Sequence, residues 1–140
     1  MRSTLDRKIW GALYVVKYAA SGIDKQGSIV FISGLAGRKG YPEMAVAGAV
    51  NTGIEAVTRN LAVELAPIRI NTVCAGVIDT QMLDRVFGKQ KDRAIKTIEA
   101  KLPVGRIGKP EEIADAVLFL MGNGFITGTT LLIDGGDALV

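Results

Sequence analysis

Ser33, Lys39 and Tyr41 form the chain's one local grouping of a hydroxyl, an ammonium and a phenol. A phenol beside a cation can hand a proton to a substrate oxygen, because the positive charge stabilises the phenolate left behind. The loop that carries Lys39 and Tyr41 is free to fold over the end of the strand before it. Alternation, however, turns Ser33 to the side of the sheet opposite residue 34, and ordinary loop polarity is the competing account. No tyrosine is followed four residues later by lysine: Tyr14, Tyr18 and Tyr41 are followed at that spacing by Tyr18, Gly22 and Ala45. The chain has no histidine, the commonest general base and metal ligand, and its one cysteine, Cys74, excludes an internal disulfide. No metal site is expected. A second stretch of interest is the loop opened by Ala75-Gly76, because open parallel sheets keep their ligands at the carboxyl ends of the strands.

The elements that would position these residues are legible from period. Val46, Val50, Ile54, Val57, Leu61 and Leu65 mark one buried face of a helix over residues 44–66, which Pro67 stops because it has no N–H to donate. A line of small residues, Ala45, Ala49, Thr52 and Ala56, lets another helix approach or packs closely on a sheet. Residues 68–73 read as a short strand, and residues 28–33 as a nearly continuous apolar strand buried on both faces. Over residues 3–20 a first helix carries Leu5, Ile9, Ala12, Val16 and Ala20 on one face. Trp10, Tyr14 and Tyr18 stand on its flank, where they widen the core stripe or meet a second subunit.

Residues 81–109 read as a variable, lid-like segment in which Met82, Leu83, Val86, Phe87, Ile95 and Ile98 suggest one or two short helices. Pro110 followed by Glu111 and Glu112 starts another helix, since proline is preset in φ and carboxylates suit the positive end of the helix dipole. Ile113, Val117 and Leu120 line its buried face, Gly122 and Gly124 close it, and residues 129–133 form a last strand. The order predicts an α/β fold, a partial doubly wound parallel sheet of three strands with flanking helices, as a single unit over residues 1–140.

With 140 residues, 49% of them hydrophobic, the chain supports one domain with a sizeable core. No run of eighteen apolar residues occurs, and charges interrupt the first twenty, so neither a membrane span nor a secretory signal is expected and the placement is cytoplasmic. The net charge of +3 is scattered, with no basic run interleaved with aromatics, which argues against nucleic acid.

Several motifs stand in a fixed order: Gly27-Ser-Ile-Val with Ile32-Ser33, residues 61–67, Arg69-Ile-Asn71, Gly76-Val-Ile-Asp-Thr80, Pro103-Val-Gly-Arg-Ile-Gly, Pro110-Glu-Glu-Ile-Ala114, Ile126-Thr-Gly128 and Asp134-Gly-Gly136. Together they resemble the second half of a short-chain dehydrogenase/reductase, Rossmann-like enzymes that move hydride to or from NAD or NADP. The resemblance implies that backbone groups of Ile78, past Gly76, and the hydroxyl of Thr80 hold the nicotinamide carboxamide. Thr80 reads equally well as a helix N-cap. In the family a glycine-rich turn after the first strand receives the pyrophosphate. That turn, with the residues selecting NAD or NADP, belongs to the first half of the fold.

The resemblance also implies a serine, tyrosine, lysine and asparagine in the chemistry. Those positions fall on Gly34, Ala47, Asn51 and Lys8, and none keeps the family's residue. The expectation is therefore a divergent member without a catalytic set, with vestigial cofactor contacts at Gly76, Ile78 and Thr80 and no cofactor bound by the isolated chain. The expected partners are a second copy, through helices 3–20 and 44–66 and the edge strand 28–33, or a separately supplied N-terminal half. The competing expectation is an NAD(P)-dependent oxidoreductase whose cofactor-binding N-terminal half is supplied separately or lies outside this sequence, with an unusual acid/base set.

Overall fold

The computed structural model describes residues 5–140, so Ser3 and Thr4 of the first expected helix lie outside it. A three-stranded sheet in the order β1-β2-β3, all parallel, organises the chain: β1 (Ser28–Gly34), β2 (Arg69–Ala75) and β3 (Thr130–Ile133). Alternate residues of β1 pack on opposite faces, which is why its apolar run is unbroken. Ile29 and Phe31 join the cluster of Val16, Leu61, Ala62, Ile68 and Ile70, while Val30 joins Val73, Ala116 and Leu120. Withdrawing side chains such as Ile70 and Val73 from water contributes about 1.5–3 kcal/mol each.

The first face is covered by α1 (Gly11–Ala19), which continues a five-residue π-helical turn (Asp6–Trp10), and by α2 (Ala45–Glu64). Val50, Ile54 and Leu61 are buried as their spacing requires, and the small line at Ala45, Ala49 and Thr52 is exposed. α3 (Gln81–Phe87) and α4 (Lys91–Glu99) follow β2, and Leu83, Leu102 and Ile107 form a cluster of their own with Val77, Phe87, Ile95 and Ile98. α5 (Pro110–Gly122) covers the second face. Glu112 reaches back to accept the Lys109 N–H at 2.8 Å, which satisfies one donor at the start of α5.

Two polar residues of β2 tie the far end together. Arg69 donates to the carbonyls of Leu120 and Met121 at 2.7 Å each, the last turn of α5, and Asn71 binds both Ile126 O and Thr129 N in the approach to β3. The helix over 44–66 begins one residue later and ends two residues earlier than its sequence pattern, and β1 and β2 run on to include Gly34 and Ala75 respectively. None of the helices among the described residues is long and apolar enough to cross a membrane.

Candidate functional site

Gly34, Ala75 and Ile133 form one register row, so the three strands end flush and the loops after them share one edge. The loop after β2 is fixed by close approach. A Cβ on Gly76 would stand 2.7 Å from Asp134 Cα, and Gly76 N–H donates to Ile133 O at 2.9 Å. Ile78 then bridges Gly108: Gly108 N–H donates to Val77 O and Asp79 N–H to Gly108 O, each at 2.9 Å. Those bonds use the neighbours' groups, so the N–H and C=O of Ile78 have no backbone partner among the described residues. Thr80 occupies the N-cap position of α3 but makes no side-chain cap bond, and it is exposed. A cleft of about 100 Å³ lies behind this loop, with Ile78, Arg106, Glu112 and Asp134 in its wall.

At the end of β1 the four positions expected for acid/base work behave differently from one another. Gly34 abuts Asn51, whose Nδ2 lies 3.1 Å from where a Cβ would stand. Ala47 is one turn earlier on α2 and brings no polar group. Lys8 Nζ donates to Asn51 Oδ1 at 3.0 Å. Their mutual hydrogen bond joins a cation on the first helical segment to an amide on α2. Lys8 is exposed along its length, yet desolvation of its ammonium end lowers its pKa. A Cys74 thiolate would oppose this, but Cys74 is buried and its thiol pKa is pushed up by that burial, which leaves it neutral and unreactive.

Ser33 does not join Lys39 and Tyr41, which meet on Asp137. Ser33 faces α2, on the side of Ile29 and Phe31, and donates to buried Glu55 at 3.2 Å; Arg38 forks onto the same carboxylate at 3.2 and 2.8 Å. Tyr41 donates to Asp137 Oδ2 at 2.9 Å, and Lys39 to Asp137 Oδ1 at 2.8 Å and to the carbonyls of Asp137 and Val140. Burial and the Asp137 carboxylate raise the pKa of Tyr41 well above the ordinary phenol value, so it holds its proton tightly. These contacts clasp the loop after β1 to the turn after β3. Sequence reading missed Glu55 and Asp137, although a lone carboxylate beside Ile54 on an apolar helix face was a signal for the first.

The fit of a nicotinamide cofactor divides in two. The free backbone groups of Ile78 and the uncommitted Thr80 suit a carboxamide. The turn Leu35–Gly37 after β1, by contrast, is packed against α2, with Thr52 donating to Gly37 O at 2.9 Å, and offers no cradle for a pyrophosphate. Among the described residues no group of three or more Cys, Asp or Glu side chains gathers as a metal site.

Comparison with known proteins places this geometry in a lineage. A family profile described as enoyl-(acyl carrier protein) reductase matches residues 1–137. Carbonyl reductase family member 4 of Danio rerio is 39% identical over 143 residues, covering 100% of this chain and 57% of the relative. The inactive 2-(S)-hydroxypropyl-CoM dehydrogenase 2 of Xanthobacter autotrophicus is 34% identical over 150 residues, covering 95% and 65%. Among solved structures, a small-chain dehydrogenase in complex with NADPH superposes with a TM-score of 0.96 at 37% identity, covering 99% of this chain and 64% of the other. The chain spans about half the length of the curated relatives it matches, 57% of the first and 47% of a yeast peroxisomal dienoyl-CoA reductase.

Proposed function

The chain belongs to the short-chain dehydrogenase/reductase family, and from that premise we propose that it forms the substrate-side half of a Rossmann-like oxidoreductase fold without the family's tyrosine-based proton transfer. By itself it has no dehydrogenase activity, and it acts through assembly with another chain. The observation that carries this reading is the end of β1, where Gly34, Ala47, Asn51 and Lys8 offer no phenol and Tyr41 is committed to Asp137. Hydride transfer needs donor, acceptor and proton source held together. Here the proton source of the family is replaced.

A second reading is favoured by the unpartnered backbone of Ile78. In it the chain is part of an NAD(P)-dependent oxidoreductase whose cofactor-binding N-terminal half lies outside these 140 residues. Bound NADH or NADPH would supply hydride. Ile78 and Thr80 would hold its carboxamide, and the pyrophosphate would rest on the other half. A bound nicotinamide cofactor in one related structure supports this reading.

Calorimetric titration of the 140-residue chain with NADPH tests the first reading. The first reading expects no saturable binding in the micromolar range. Binding near −8 kcal/mol, about 1 μM, would mean that the chain carries a complete cofactor site and would overturn it.

A further inference from the structure

The loop from α5 to β3 lies at the amino end of the sheet, away from the ligand edge. It opens on Asn123, the C-cap of α5, which is the one asparagine of four in the chain with glycine after it. Asn51 and Asn60 stand inside α2 and Asn71 inside β2. A backbone nitrogen can attack the preceding side chain when its N–H is unengaged and its own residue leaves the approach clear. Gly124 meets both conditions. Its N–H donates to no carbonyl among the described residues, and a Cβ built there would have nothing within 4 Å.

Phe125 supplies a further element. Its N–H donates to Asn123 Oδ1 at 3.0 Å, closing a ring that contains the Gly124 amide. That bond polarises the carboxamide carbon and is in place for the negative charge that Oδ1 gains when the carbon is attacked. Water reaches the junction freely, since Gly124 is exposed and Phe125 is 99% exposed.

We propose that Asn123–Gly124 is a self-modifying site that converts without an enzyme to aspartate and isoaspartate, assisted by the Phe125 N–H. The Gly124 nitrogen gives up its proton and bonds to Asn123 Cγ. The Cγ–Nδ2 bond breaks, and the side-chain nitrogen leaves as ammonia, taking up a proton. Water then adds to either carbonyl of the resulting succinimide and cleaves its bond to the ring nitrogen. Cleavage on the side-chain carbonyl gives aspartate, and cleavage on the main-chain carbonyl gives isoaspartate; nothing is oxidised or reduced. Loss of ammonia makes the change one-way. Isoaspartate also adds a methylene to the main chain between Met121, whose carbonyl Arg69 holds, and Ile126, whose carbonyl Asn71 holds. A side chain locked by the Phe125 contact, and inert for that reason, is the competing account.

Timed incubation of the 140-residue chain, followed by proteolytic digestion and mass spectrometry, tests it. The peptide containing Asn123 should gain the mass of an amide-to-acid exchange and split into two chromatographic species, one of them resistant to an aspartate-directed protease. Its rate should rise about tenfold per pH unit near neutrality, because the attacking nitrogen is deprotonated and far below its pKa. Gly124→Ala and Phe125→Pro should each slow conversion about tenfold, and Phe125→Ala, which keeps the N–H, should leave it unchanged. Circular dichroism checks that each variant is folded, and Asn123→Gln provides the unreactive reference. An Asn123 that persists while Asn51, Asn60 or Asn71 converts, or a rate unchanged in Gly124→Ala or in Phe125→Pro, overturns the proposal.

Discussion

Tyr41 donates its phenolic hydroxyl to Asp137 at 2.9 Å, joining two residues 96 positions apart in sequence. Burial comes first in raising the Tyr41 pKa, and the adjacent carboxylate adds to it, because an ionised phenol there would be poorly hydrated and would face a like charge. A raised pKa means that this contribution to stability is complete below about pH 10, the unfolded value, and is lost as pH rises through the folded one. Absorbance titration should therefore find a tyrosine step above the ordinary range that disappears in Tyr41→Phe and moves down in Asp137→Asn. A step at the ordinary value in the native chain would mean that the clasp is absent in solution.

The Lys8–Asn51 pair yields a charge-swap experiment. Asn51→Lys alone places two ammonium groups where one now binds an amide, and should destabilise the fold by about 1 kcal/mol at a partly exposed site. Lys8→Asn combined with Asn51→Lys restores one cation and one amide and should recover most of that loss. The coupling is read from a denaturant double-mutant cycle. Additive effects would mean that the two residues do not interact. Adding Gly34→Ser and Ala47→Tyr to Asn51→Lys should still give no carbonyl reduction by the chain alone in an NADPH absorbance assay, because no hydride donor is positioned.

Glu112 gives a cleaner pH signature. The fork of Arg106, at 2.7 and 2.9 Å, and the Lys109 N–H lower its pKa to about 2. A depressed carboxylate supports the folded state above the unfolded value of about 4.3, and that support fades as pH falls toward 2. The Glu112 carboxyl carbon should thus titrate near 2 in the native chain and distinctly higher in Arg106→Gln. Titration at the ordinary glutamate value in both would remove the cap from the start of α5.

The sheet and its helices were legible because buried parallel strands read as apolar runs and α2 keeps one face at helical spacing. Boundaries slipped at Gly34 and Ala75, where pairing continues beyond the apolar residues. The candidate site was less legible. Ser33, Lys39 and Tyr41 lie close in sequence, but Ser33 is drawn to Glu55 and the other two to Asp137, both distant carboxylates. Lys8 and Asn51, 43 positions apart, meet only because the first helix widens at Asp6–Trp10 and closes on Gly53. Periodicity carries information about faces, and these contacts depend on the separation of two helices, which it does not encode.

The remaining prediction concerns assembly. Among the described residues β1 has a neighbour on one side only, and Ile32 near its end is 46% exposed. On the first helix Trp10 and Tyr14 stack at 6.3 Å between ring centres and, with Tyr18, remain more than half exposed. An unpaired strand edge and an aromatic flank on one unit recruit a partner, and two-fold pairing of the helices would bury both rings of each copy. Sedimentation at micromolar concentration should show a species larger than the 14.8 kDa chain. Tyr14→Arg should weaken it by about 2 kcal/mol or more, since the interface would then bury a charge without a partner. On a solvent-facing helix the same substitution would leave both the fold and the sedimentation unchanged. A folded monomer in the native chain would place the aromatic flank in water and remove the physical basis for assembly through this helix.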